Sequence, residues 1–294
     1  VTAPDGNAPY ASGIQSVAAG SRAVELLPEG TGRLGTRTPI GPRLAYVIDS
    51  TPTMRTIAGT LLEVHGFTVE SFADIGTAAT RCSEQQPDVA VMEPHDRDRD
   101  ALDVLRDWHD NVAEGHPPVV WCTTVTPTQR HLQDGADLGL RGVVIKPFKL
   151  EALAALVVRV VRTHERERLL RDAGVDLRAV TGPLPPADTA AWLRIEARLA
   201  EQYQRPLSLV RVDAATPEAL LAVRSAIRNV DLLGLLDVRT GVVLLPDVEP
   251  AGAAVVARRV GGAVTAGEPR PAVEAFTREP GESGEALLER ALRA

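Results

Sequence analysis

Four residues with complementary chemistry close four short apolar runs: Asp49 follows 44–48, Glu93 follows 88–92, Thr123 ends 119–123 and Lys146 follows 142–145. If these runs lie side by side, two carboxylates, a hydroxyl and an ammonium meet at one edge. The plainest outcome there is an ion pair between Glu93 and Lys146, because charges withdrawn from water require a partner. Arg228 and Asp231 form a second set, three positions apart near a helix end, a spacing that ordinarily gives a surface ion pair. Cys82 and Cys122 sit in apolar periodic segments with no CxxC or histidine partner, so they read as buried small hydrophobes. His95 and the alternating acids and arginines after it read as a solvated loop.

The elements that must position the first set follow from periodicity. Apolar runs at 44–48, 67–72, 88–92, 119–123 and 142–145 predict strands, and helix-period segments at about 53–65, 74–86, 100–113, 126–137 and 149–165 separate them. Five strand-then-helix repeats imply a parallel sheet covered on both faces. In such sheets the carboxyl ends of the strands converge on one crevice, which is where Asp49, Glu93, Thr123 and Lys146 fall. Residues 1–42, rich in Gly, Pro, Ser, Thr and Ala with no sustained period, predict a disordered tail. The last helix continues past the sheet domain without a breaker before Gly174, and its stripe of Leu153, Leu156, Val157, Val160 and Val161 could pair with a second copy.

Over residues 43–165 the chain resembles the receiver (response regulator) family of two-component signalling. The resemblance is carried by Val47-Ile48-Asp49, by Pro52-Thr53-Met54-Arg55 opening a helix, by Pro87-Asp88-Val89-Ala90-Val91-Met92-Glu93 and by Lys146-Pro147-Phe148. It implies a five-stranded parallel (βα)5 flavodoxin-like sheet. It also implies a pocket in which paired acids after the first strand and an aspartate after the third hold Mg²⁺, the latter aspartate accepting a phosphoryl group.

This chain departs from that pattern at each chemical position. The acidic pair is Asp49-Ser50, so one carboxylate has become a hydroxyl, and a hard cation loses a charged oxygen ligand. The acceptor is Glu93, whose extra methylene displaces the carboxylate from a pocket shaped for aspartate. Val143 stands where an aromatic side chain usually responds to phosphorylation, and the stretch after Glu93 lacks the family's Met-Pro and Gly. The resemblance therefore implies a pseudo-receiver with Mg²⁺ binding weakened or lost and no resident cofactor. Three readings of Glu93 stay open: a structural ion pair with Lys146, partial imitation of a phosphorylated aspartate with Lys146 and Thr123 satisfying its oxygens, or retained phosphorylation. A single negative charge makes such imitation partial.

Residues 187–294 resemble, more faintly, the GGDEF family of diguanylate cyclases, and residues 166–186 are expected to be a helical connector and linker. The likeness rests on Thr181-Gly182-Pro183-Leu184, the segment 205–213, Arg228-Asn229-Val230-Asp231-Leu232-Leu233, Leu244-Leu245-Pro246 and the closing segment 286–291. Where that family places its signature hairpin, this chain reads Asp237-Val238-Arg239-Thr240-Gly241, and only Asp213 survives as a metal ligand. One carboxylate does not organise the ions that phosphoryl transfer requires, so an inactive, smaller α/β domain is expected. Arg228 and Asp231 match the family's RxxD inhibitory site, which implies cyclic di-GMP as a ligand through the arginine fork and the aspartate acceptor.

The 294 residues suit two domains. A net charge of −7 gives no electrostatic reason to bind nucleic acid or an anionic membrane, and no apolar run reaches the length of a bilayer span. The expectation is a cytoplasmic, non-enzymatic signalling protein that works through protein partners, a histidine kinase or another signalling protein, or through a homodimer. Its alternatives are a cyclic di-GMP effector and a conventional phosphorylated response regulator.

Overall fold

The apolar runs of the first half form strands of one sheet, and the computed structural model describes residues 15–19, 22–27, 43–94, 99–112, 116–175, 183–214, 217–227, 231–264 and 272–293. The chain divides into two units, 1–164 and 165–294. Within the first, β1 (Gln15–Ala19) and β2 (Arg22–Leu27) form an antiparallel hairpin. The five repeats follow as β3 (Arg43–Ile48), α1 (Pro52–Val64), β4 (Phe67–Phe72), α2 (Ile75–Glu84), β5 (Val89–Met92), α3 (Ala101–Asn111), β6 (Val119–Thr123), α4 (Gln129–Asp137), β7 (Leu140–Ile145) and α5 (Leu150–Asp172).

The sheet order is β1-β2-β7-β6-β5-β3-β4, and every pairing from β2 to β4 is parallel. Its five core strands therefore run in the 2-1-3-4-5 order of flavodoxin-like folds. Strand β5 is buried along its whole length, as a strand covered on both faces must be. Leu44, Tyr46, Ile48, Ala90, Met92, Trp121 and Val143 share one core with Leu102, Leu105 and Trp108 of α3. Local chemistry sets the helix starts. Pro52 opens α1 where a missing N–H costs nothing. Asp74 caps α2 by accepting from the Thr77 amide at 2.8 Å, Asp100 caps α3 through the Leu102 amide at 2.8 Å, and Thr128 closes a capping box with His131 on α4. Gly66, at φ +89°, turns the chain out of α1 into β4 in the left-handed region that suits glycine.

Three expectations are corrected. Residues 1–42 contain two strands, and β2 adds to the sheet edge by pairing Glu25, Leu26 and Leu27 with Gly142, Val143 and Val144. Runs this short show no period in sequence, but an open edge offers them backbone partners. The α5 stripe does not lie open to a second copy: Leu153, Leu156, Val157, Val160 and Val161 are all buried, with Leu156 packed over Gly142. Finally, the stretch expected to be a connector over 166–186 is in part core of the second unit, to which Leu170, Val175 and Leu184 belong.

The second unit begins with the last turns of α5 and continues as α6 (Pro186–Gln202), β8 (Leu207–Asp213), α7 (Pro217–Val223), a 3-10 turn (Arg224–Ala226), β9 (Leu232–Leu235), β10 (Thr240–Pro246), α8 (Pro250–Val264), β11 (Ala272–Thr277) and α9 (Gly284–Arg293). Its antiparallel sheet runs β11-β8-β10-β9, the interleaved order that two βαβ units produce when each leaves room for a strand of the other. Alternation along β8 and β10 feeds two cores. Leu207, Leu209 and Leu244 join Trp192, Leu193 and Leu287 on one side, while Val210, Val212, Val243 and Leu245 join Leu220, Val256 and Val260 on the other. The start of α6 lies so close to β9 that a Cβ on Gly234 would sit 2.4 Å from the Thr189 side chain, which requires glycine there.

The end of α5 is bound to α6 by buried polar groups. Tyr203 donates its hydroxyl to Glu165 at 2.6 Å, and the Trp192 indole donates to Glu196 at 2.9 Å. Arg166 pairs with the same Glu196. Glu165 and Glu196 are 6% and 3% exposed, so both charges depend on these partners.

Candidate functional site

Strand adjacency brings three of the expected residues together. β3 and β5 are neighbours, so Asp49 and Glu93 leave the sheet side by side, with the Glu93 amide donating to the Ile48 carbonyl at 2.9 Å. Lys146 leaves β7 two strands away, and its four-carbon stem spans β6. Its ammonium donates to Glu93 Oε2 at 2.7 Å and to Asp49 Oδ2 at 3.0 Å. All three are largely withdrawn from water, with side-chain exposures of 17% for Lys146, 6% for Asp49 and 13% for Glu93. Burial works against the Lys146 charge, but the hydrogen bonds it donates to Glu93 and Asp49 outweigh it and hold the pKa above the ordinary lysine range.

The remaining oxygen of Asp49 is also engaged, since Oδ1 accepts the Thr51 amide at 2.8 Å in the turn that opens α1. Arg55, one turn into α1, reaches back to the Asp49 carbonyl at 2.6 Å and the Ser50 carbonyl at 3.2 Å. In the sequence Arg55 stands out only as part of the helix start. Its fourth place in the helix, behind a proline at the first, is the signal that its side chain can fold back over the strand end. Ser50 is exposed at the rim of the site.

Thr123 departs from expectation. It is wholly buried, and its hydroxyl oxygen accepts the Val125 amide at 3.1 Å, holding the turn after β6. The Lys146 amide donates to the Thr123 carbonyl at 2.7 Å, so Thr123 supports the site through its backbone. Cys122, beside this turn, is buried, and burial pushes its thiol up to about 12, as it pushes Cys82 up to about 11. Neither is a nucleophile at neutral pH. Among the described residues, no group of three or more His, Cys, Asp or Glu side chains is placed to hold a metal ion.

In the second unit Arg228 lies outside the described residues. Asp231 is wholly buried, and its carbonyl accepts from Arg224 at 3.0 Å. The other half of the expected nucleotide contact, Arg228, thus has no described position beside it. Asp213 ends β8 paired to Arg211, which donates through Nε at 3.1 Å and also reaches the Ala291 carbonyl at 2.8 Å. Asp237 accepts the Arg239 and Thr240 amides at 2.7 and 2.8 Å, closing a tight turn between β9 and β10.

Residues 45–158 match the family model described as "Response regulator receiver domain". No curated protein matches at a significant level. Similar solved structures include the chemotaxis protein CheY4 of Vibrio cholerae, 22% identical with a TM-score of 0.37 over 41% of this chain and 99% of that one. A CheY-like receiver domain protein from Methanospirillum hungatei JF-1 is 15% identical with a TM-score of 0.39, over 43% of this chain and 99% of that one. The N-terminal domain of a response regulator/sensory box/GGDEF 3-domain protein from Carboxydothermus hydrogenoformans is 19% identical with a TM-score of 0.37, over 43% and 99%. No helix among the described residues is long and apolar enough to cross a membrane. With the 2-1-3-4-5 parallel sheet and the acid and lysine positions at its carboxyl edge, residues 45–158 are a response regulator receiver domain.

Proposed function

We propose that this protein is a two-component signalling protein whose receiver domain acts without phosphorylation, as a partner-binding module joined to a catalytically inactive GGDEF-like domain. The observation that carries the reading is the bridging ammonium of Lys146, bonded to Glu93 at 2.7 Å and Asp49 at 3.0 Å. A divalent ion needs several charged oxygens. Here Ser50 supplies no charge, and both Asp49 oxygens already accept hydrogen bonds. Seating a cation between Asp49 and Glu93 requires expelling a buried ammonium, at a cost neither carboxylate can offset alone. One full positive charge is shared between two carboxylates, with Arg55 fixing the adjoining backbone.

The reading of the second domain is supported by its interleaved β8-α7-β9-β10-α8-β11 order and by the pairing of Asp213 with Arg211, which removes the last acid from metal duty. Incubating the full chain with acetyl phosphate and Mg²⁺ and weighing it intact tests the reading. An unchanged mass is expected; the gain of one phosphoryl group, lost in Glu93→Ala, overturns it. In parallel, GTP with Mg²⁺ or Mn²⁺ should yield no cyclic dinucleotide.

A further inference from the structure

The groove between α2 and α3 has no role in the reading above. It is a cavity of about 870 Å³ that opens beside Asp49, Ser50 and Glu93 and lies wholly within the first unit. Its lining falls into two parts. Ile48, Ile75, Ala79 and Val104 are the apolar part, with Ile48, Ala79 and Val104 at 2%, 6% and 1% exposure, so the deepest lining is continuous with the receiver core. Among the described residues, the polar part carries the carboxylates of Asp49, Asp74, Glu93 and Asp107 against the guanidinium of Arg99.

Those charges are fixed in place. Asp74 is held ionised well below the usual carboxylate range, first by the Thr77 amide and then by the Thr77 hydroxyl. Arg99 is drawn to Asp107 at 2.5 Å, which neutralises that one pair. The Asn111 amide is tied to the Asp107 carbonyl at 2.7 Å, so the α3 side of the rim is ordered too. Even after Lys146 is set against Asp49 and Glu93, the carboxylates outnumber the cations among the described residues. The volume falls in the range of sites for small organic ligands, which pair an apolar body with a few placed polar groups. A concave, low-dielectric wall with an excess of one sign focuses its field on the opening.

We propose that the α2–α3 groove binds an amphipathic cation: a small organic ammonium or guanidinium with an aromatic or branched aliphatic body. The body lies against Ile48, Ile75, Ala79 and Val104, and the charge faces Asp74 and the Glu93 side of the rim. Because the groove shares Asp49 and Glu93 with the Lys146 bridge, occupancy bears on the part of the receiver where a phosphoryl group would otherwise act. The inference does not depend on the receiver being phosphate-independent, since the groove lining is the same in either case.

The test uses the full chain and three probes of one shape: 4-phenylbutan-1-amine, 4-phenylbutan-1-ol and 4-phenylbutanoate. Calorimetry at low salt should show the amine binding about tenfold or more tightly than the alcohol, and the carboxylate not at all. Thr80 lines the groove and is exposed, so Thr80→Trp fills it without entering the core and should abolish the amine's heat. Asp74→Asn, which keeps a capping oxygen, should bring amine and alcohol to within a factor of about two. Equal affinity for amine and alcohol in the parent chain, no heat with any probe, or amine binding that survives Thr80→Trp each overturns the proposal. A mass unchanged by acetyl phosphate has no bearing on these outcomes, so the two readings fail separately.

Discussion

Lys146 and Glu93 leave strands that are not neighbours, yet their charged groups meet at 2.7 Å across the end of β6, and Asp49 completes the bridge at 3.0 Å. Removing the ammonium alone leaves two buried carboxylates facing each other. Lys146→Met is therefore expected to destabilise the receiver unit by about 3 kcal/mol. Adding Glu93→Gln should recover about 1 kcal/mol or more, because the repulsion is then removed. Urea unfolding followed by Trp108 and Trp121 fluorescence in a Trp192→Phe background reads this unit; additive effects of the two changes would contradict the bridge.

Much of this site was legible in the sequence, and the reason is topological. Runs of buried residues such as Val89 to Met92 announce a two-sided parallel sheet, and such a sheet brings its strand-end residues to one edge whatever their side chains. Asp49, Glu93 and Lys146 were found that way. The engagement of the Thr123 hydroxyl was not legible, since strand-end position does not fix a rotamer and the nearby Val125 amide competes for the oxygen. The pairing of β2 with β7 was hidden because edge addition depends on backbone groups, which carry no sequence signal. The role of α5 was half visible: its continuation past the sheet domain could be read, but the burial of its apolar stripe and the hydrogen bond that Glu165 accepts from Tyr203 depend on tertiary neighbours.

The Glu165–Tyr203 bond sets the boundary of the second unit. Tyr203→Phe leaves a carboxylate that is 6% exposed without its 2.6 Å donor, and should cost about 1–3 kcal/mol in that unit. A fragment starting at Glu165 should fold cooperatively, whereas one starting at 187 lacks Leu170, Val175 and Leu184 from its core and should not. Circular dichroism melts of both fragments distinguish the cases, and a cooperative melt of the shorter one would contradict this assignment.

Acid stability should report on Glu282. Its hydrogen bonds to Arg290, at 2.9 Å through both oxygens, hold its pKa below the usual glutamate range. The native state thus binds fewer protons here than the unfolded chain. The contribution is complete above the unfolded glutamate's pKa of about 4.3 and is lost as the pH falls through the lower folded value. Glu282→Gln should cost about 1 kcal/mol at pH 7, and the gap to the parent chain should close on approaching pH 3. A gap independent of pH would show that the ion pair is not its source.

Asp231 is wholly buried, so cyclic di-GMP should give no binding heat with the full chain in calorimetry, and Arg228→Ala should change nothing. Heat that is lost in Arg228→Ala would show that the segment around Asp231 opens to admit the nucleotide.

The most direct measurement records amide resonances of the receiver unit during titration with Mg²⁺ and beryllofluoride, a stable mimic of the phosphoryl group. With the ammonium of Lys146 held between Asp49 and Glu93, the Thr51, Glu93 and Lys146 amides are expected to stay in place up to millimolar Mg²⁺. Saturable shifts of those amides that require both Mg²⁺ and beryllofluoride, and that vanish in Glu93→Ala, would contradict a phosphate-independent receiver.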